Sequence, residues 1–268
     1  MFRNRLSIVG LCIVVALLFV AVFAPHLAPF DPFEQSLEGG LSTPTWEHPL
    51  GQDKLGRDNL SRILYGARIS VFVGLVVVGI SLFIGTFIGS MAGYTGGFVD
   101  EFFMRIVDIL LAFPGILLAI AMTAVLGPSL NNVILALCIT GWVSYARIVR
   151  GQVLAEKERE YVVAAKALGA NPIRIVAVHI LPNIMSPLIV EVTFGMAGVI
   201  LAEASLSFLG LGAQPPTPSW GSMLNEGRQF LLVAHHMTTF PGLAIMLVVL
   251  GFNFLGDGLR DALDVRKE

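Results

Sequence analysis

Two carboxylates, Glu191 and Glu203, interrupt the apolar stretch from Asn183 to Gly212. A carboxylate at membrane depth is costly and usually faces a bundle interior or water. Three uses are open to such a pair: acid–base chemistry, the lining of a polar path, or a hydrogen-bonded structural role. Spacing argues against the first, because positions 191 and 203 lie about 18 Å apart on a straight helix. Glu203 is also about one helix length from Asn183, which puts it towards the outer mouth of a path rather than its middle. His235-His236 offers imidazole nitrogens, but adjacent residues on a helix point in different directions and make a poor paired ligand, so no metal site is expected. Cys12 and Cys138 both lie in apolar runs, without a disulfide framework or a metal motif. The chain has no G-x-x-x-x-G-K-[ST], no H-E-x-x-H and no G-x-S-x-G. It therefore cannot be an ATPase, and enzyme chemistry has no visible seat.

The elements that hold these residues are apolar helices. Of 268 residues, 55% are hydrophobic and 13% charged, against about 25% charged in a soluble domain. Uncharged runs reach the roughly 18 residues that cross a bilayer. The expected fold is all-α and polytopic, with six transmembrane helices. The spans are placed at Leu6–Ala24, Ile69–Ala92, a long run from Ile109 to Ala146 broken at Gly127-Pro128-Ser129, Asn183–Gly212 and Thr239–Gly256. Residues 1–68 form an N-terminal span and outer loop. Residues 69–268 form a five-span core containing the loop 147–182. A cleaved signal peptide is the rival reading of the first run, but no small-residue cleavage site follows it, so a retained span is expected.

Charge sets the orientation. The loop 147–182 holds Arg147, Arg150, Lys157, Arg159, Lys166 and Arg174, whereas Lys54, Arg57, Arg62 and Arg68 in the first outer loop are balanced by acids. Cytoplasmic loops are enriched in cations. The loop 147–182, the N-terminus behind Arg3 and Arg5, and the C-terminus with Arg266 and Lys267 are therefore expected in the cytoplasm. A net charge of −2 without a basic tract gives no reason to expect nucleic acid. Gly85, Gly89 and Gly93 recur every four residues and make a smooth face for another helix. Tyr94 to Arg105 reads as a short link, and Asp53, Lys54, Arg57 and Asp58 as either a locally paired motif or a solvated loop. Gln214 to Thr238 reads as an outer segment with Trp220 at the interface.

The polar interruption Glu158–Pro182 reads as two short helices. Tyr161, Val162, Ala165 and Leu168 make one apolar stripe, Gly169 stops the first helix, Asn171-Pro172 starts the second, and Pro182 bends or ends it. The spacing Ala164-Ala165, three residues, Gly169, eleven residues, Leu181-Pro182 resembles the signature loop of membrane subunits of ATP-binding-cassette importers. Val163 and His179 depart from that family's usual Glu and Ile. The residues around it, with His48–Asp58, Arg105–Asp108 before Ala112-Phe113-Pro114, and Asn253–Asp264, are similar to the dipeptide, oligopeptide and nickel branch. The resemblance implies that Tyr161, Ala164, Ala165, Ala167, Leu168, Gly169, Asn171 and Pro172 dock on an ATPase subunit. It implies a second homologous permease, two ATP-binding subunits that carry ATP and Mg, and an extracytoplasmic solute-binding protein. This chain would bind no cofactor itself, would sit in a bacterial inner membrane, and would pass di- or oligopeptides; Glu191 and Glu203, from their own placement, are the candidates to line that path. Nickel, nickel chelates and glutathione are alternative cargoes. A secondary transporter or an intramembrane enzyme is the alternative from another class.

Overall fold

The computed structural model describes residues 5–263; the expectations placed on Arg3, Asp264, Arg266 and Lys267 lie outside them. The helices are α1 (Arg5–Leu27), α2 (Asn59–Thr95), α3 (Gly97–Leu111), α4 (Gly115–Leu126), α5 (Leu130–Glu156), α6 (Glu160–Ala167), α7 (Pro172–Arg174), α8 (Met185–Phe208), α9 (Trp220–Gly227) and α10 (His236–Leu263). Among the described residues, five helical stretches are long and apolar enough to cross a membrane, and a sixth if α3 and α4 count as one. The chain is an all-α polytopic membrane protein.

Several boundaries differ from the sequence expectation, each for a local reason. Helix α2 starts at Asn59, not Ile69, because Asp58 caps it by accepting from the Ser61 N–H at 2.8 Å. It therefore includes Arg68 and Ile69 in one helix. The expected link from Tyr94 to Arg105 is mostly helix α3, separated from α2 only by Gly96 at φ +67°. The run beginning at Ile109 does not open a new helix. Ile109 lies within α3, and α3 and α4 meet at 82° around Pro114, which has no N–H to carry the helix through. Pro182 does not end its helix. The chain winds continuously from Pro172 to Phe208, through a π-helical stretch Ile175–Ile180 and a 3-10 turn Leu181–Ile184. The wider and tighter turns absorb the missing proline donor.

Packing follows the small residues. Helix α2 lies along α5 through Gly85, Gly89 and Gly93, where an added Cβ would meet the backbone of Trp142, Ala146 and Arg150 respectively. At α1, Gly10 meets the α10 backbone at Gly251 and Leu255. The central core gathers Leu17, Val71, Tyr145, Ile200, Trp220 and Phe252 from six helices. A second cluster, with Val149, Val153, Val162, Ile175, Ile180 and Leu188, joins α5 to the segment after it.

Candidate docking loop and pathway face

Helix α6 and the turn behind it form an elbow at the end of α5. The stripe expected from Tyr161 to Leu168 splits between two faces. Val162 and Ala165 turn inward and are buried, Val162 packing with the α5 end, while Tyr161 and Leu168 point out. Val162 thus anchors α6 with Ala165 buried beside it, and Tyr161, Ala164, Ala167, Leu168, Gly169, Asn171 and Pro172 are exposed.

The elbow is fixed by its own backbone. Gly169 has φ +81°. Its N–H donates to the Lys166 carbonyl at 3.0 Å, and that of Ala170 donates to Ala165 at 3.1 Å, closing the helix end as a left-handed glycine does. The Asn171 side chain then accepts from the Ile173 N–H at 2.9 Å, with Pro172 at the first helical position. The result presents Leu168, 89% exposed, and Ile173, 77% exposed, as an uncovered apolar knob on a rigid support. Lys157 Nζ donates to the Gly93 carbonyl at 3.1 Å, and Arg150 pairs with Asp100 through two nitrogens. These contacts tie the end of α5, from which the elbow projects, to α2 and α3.

The Tyr161 hydroxyl donates to Glu156 Oε2 at 2.5 Å. Burial first, and then this hydrogen bond and the carboxylate charge, push the phenol up to about 12. A raised phenol pKa contributes stability that is present below the ordinary value near 10 and lost as pH climbs through the folded one. Between pH 7 and 9 Tyr161 therefore stays protonated, and uptake should carry no titration from it. As the pair is exposed, Tyr161→Phe should lower uptake less than about twofold, within the range of weak surface contacts; uptake assays at pH 7 and pH 9 check both statements.

Beside the elbow, a groove of about 970 Å³ runs between α2 and α7–α8. Its walls include Leu82, Phe83, Phe87, Ile173, Leu188 and Val192 and are almost wholly apolar. Glu191 is half-buried on α8. One turn on, Gly195 lies against the Tyr145 hydroxyl of α5. Glu203 has no exposed surface, and its Oε1 accepts from the Ser207 hydroxyl at 2.7 Å. The two carboxylates occupy different surroundings, one enclosed and one partly open.

At the opposite end from the elbow, the residues read as a paired motif or a solvated loop are paired and mostly buried. Asp53, Arg57 and Asp58 are each 2% exposed, and Lys54 alone of the four is exposed. Arg57 Nε donates to Asp53 Oδ2 at 2.6 Å. Trp220 is not interfacial: it is 2% exposed, and its indole donates to the Ile63 carbonyl at 3.0 Å. His236 is buried against the Gln52 carbonyl at 3.1 Å. Sequence reasoning missed Arg62 and Glu226, which meet across 164 positions at 3.3 Å. Nothing local marks such a pair; an isolated acid in a polar segment was the only trace.

The comparisons with known proteins agree with this architecture. Residues 85–268 match the family model "Binding-protein-dependent transport system inner membrane component", and residues 1–44 match "N-terminal TM domain of oligopeptide transport permease C". The chain is 45% identical to the dipeptide transport system permease protein DppC of Haemophilus influenzae, over 98% of this chain and 91% of that one. It is 49% identical to DppC of Escherichia coli, over 98% and 89%. It is also 49% identical to the glutathione transport system permease protein GsiD of Shigella sonnei, over 98% and 87%. Its fold matches a chain of the inward-facing MetNI methionine ABC transporter with a TM-score of 0.60 at 23% identity, covering 76% of this chain and 97% of that one. The chain belongs to the inner-membrane permease components of binding-protein-dependent ATP-binding-cassette transporters, in the DppC/OppC branch, and is a non-catalytic transport subunit.

Proposed function

We propose that this permease forms half of an inward pathway for dipeptides or short oligopeptides. On this reading the elbow at Leu168–Pro172 docks on a cytoplasmic ATPase subunit. The observation that carries it is the exposed apolar knob of Leu168 and Ile173 on a backbone fixed by Gly169 and Asn171. Tyr161, Ala164 and Ala167 would complete the contact, with Ala165 buried behind them and Val162 packed on the bundle. A second permease subunit would cover the apolar groove, and two ATP-binding subunits would carry ATP and Mg. An extracytoplasmic binding protein would deliver cargo at the end where α9 lies. Glu191, only half-buried, is the better candidate to line the pathway. Glu203, enclosed in this conformation, would reach it only after a rearrangement.

Glutathione is the second reading of the cargo, favoured by identity to GsiD proteins equal to that with the Escherichia coli DppC. Competition decides between them. Uptake of a labelled dipeptide into proteoliposomes holding the full transporter should be blocked by excess unlabelled dipeptide. Blocking by glutathione alone would reverse the assignment. The orientation has its own test. Both termini and the loop 147–182 are assigned to the cytoplasm, so a cysteine replacing the exposed Lys166, in a chain lacking Cys12 and Cys138, should react with an impermeant thiol reagent only in inside-out vesicles. Reaction in intact cells would invert the topology.

A further inference from the structure

A buried cluster of four charges lies at the end of the bundle opposite the elbow. Arg57, just before α2, donates to Asp53 Oδ2 at 2.6 Å and to Glu226 Oε2 at 2.8 Å. Arg62, in the first turn of α2, lies 3.4 Å from Asp53 Oδ2 and 3.3 Å from Glu226 Oε2. The side chains of Arg57, Arg62 and Asp53 are at most 3% exposed and that of Glu226 14%. Both arginines come from the chain entering α2, and Glu226 comes from α9.

Opening such a contact would strand buried charge, which is strongly unfavourable. The cluster therefore has to stay closed while the helices around it shift. Other ties run beside it. The Trp220 indole bonds the Ile63 carbonyl, and Gly221 of α9 packs on the α8 backbone at Ala204. The 31–58 segment is closed on itself by the Ser36 N–H to the Leu55 carbonyl at 3.1 Å, and it is tied to the start of α2 by the Asn59 N–H to the Gly51 carbonyl at 3.1 Å and the Asn59 side-chain amide to the Leu50 carbonyl at 3.2 Å. Helix α8 thus enters a rigid body at one end, and at the other it continues, helically wound, from the docking elbow at Pro172.

We propose that the Asp53–Arg57–Arg62–Glu226 cluster is a transmission joint, with Glu226 the positioning residue that makes the 31–58 lobe and the start of α2 follow α8 as one body. The inference rests on the docking reading of the elbow. Its test uses the complete transporter with its ATPase, in a chain without Cys12 and Cys138. Spin labels are placed at the exposed positions Glu38, on the lobe, and Gln229, just past α9. The distance between them should be the same in the nucleotide-free and the ATP–vanadate-trapped states. In Glu226→Gln it should split or broaden, and uptake should fall about tenfold, the size of an ordinary coupling between sites. A wild-type distance that changes between the two states overturns the joint, as does a Glu226→Gln transporter with wild-type distance and uptake. If Glu226→Gln does not assemble, the wild-type distance decides alone. Failure of the docking reading looks different: the purified chain would bring no ATP hydrolysis with it.

Discussion

Gly169→Asp should insert and accumulate like the wild type and lose uptake altogether. At φ +81° an L-residue costs roughly 1–2 kcal/mol, which is small against the stability of a whole bundle. An added Cβ has open space there, with nothing within 4 Å, so the fold has no steric reason to fail. The loss arises on docking. The new carboxylate lies beside Leu168 and Ile173, and burying it without a partner costs several kcal/mol. Gly169→Asn separates the two effects, because it tolerates the left-handed backbone and brings no charge; it should retain part of the uptake. Membrane content by immunoblot and uptake in proteoliposomes are the measurements. Wild-type uptake by Gly169→Asp would remove the elbow as the docking site.

Gly89→Leu should fail earlier, at folding. Its Cβ would fall 2.8 Å from the Val149 Cβ and 3.0 Å from the Arg150 backbone nitrogen, and would crowd the Ala146 carbonyl. Two of these are backbone atoms of α5, which cannot rotate away. Overpacking of this kind costs about 1–3 kcal/mol, occasionally more, and here it strikes the extensive contact between α2 and α5. The subunit should disappear from membranes or unfold well below the wild-type temperature in detergent. Gly151→Ala, on α5 with nothing within 4 Å of its added Cβ, is the control and should accumulate normally. A Gly89→Leu chain as stable as the wild type would mean that α2 and α5 do not pack through these glycines.

The glycines at 85, 89 and 93 were legible because close helix contact demands small residues at one helical spacing. The elbow was legible for a related reason: a left-handed stop, an Asn cap and a first-turn proline each leave a residue-type mark. The start of α2 was not. Run-length reasoning ends a span at a charge, so Arg62 and Arg68 shortened it, yet Arg62 is neutralised by Asp53 and Glu226 within the folded helix end. The bend at Pro114 hid inside an uninterrupted apolar run, where hydropathy has no contrast. At Pro182, where the sequence left a bend or an end open, π and 3-10 turns let the chain stay helical. Trp220 was read from its type alone, and its partner, the Ile63 carbonyl, lies 157 positions away. Side chains that close long loops leave no periodic trace, which is why Glu226 was missed and why the inner and outer faces of α6 were merged.

The central claim is that this chain couples a membrane path to an ATPase through the Leu168–Pro172 elbow. The direct measurement is purification of the tagged protein from its native membranes in mild detergent, identifying every chain that comes with it and assaying ATP hydrolysis. The account predicts an ATP-hydrolysing subunit and a second permease in the wild-type preparation, with the ATPase absent from the Gly169→Asp preparation. A wild-type chain that purifies alone and brings no ATP hydrolysis would contradict it.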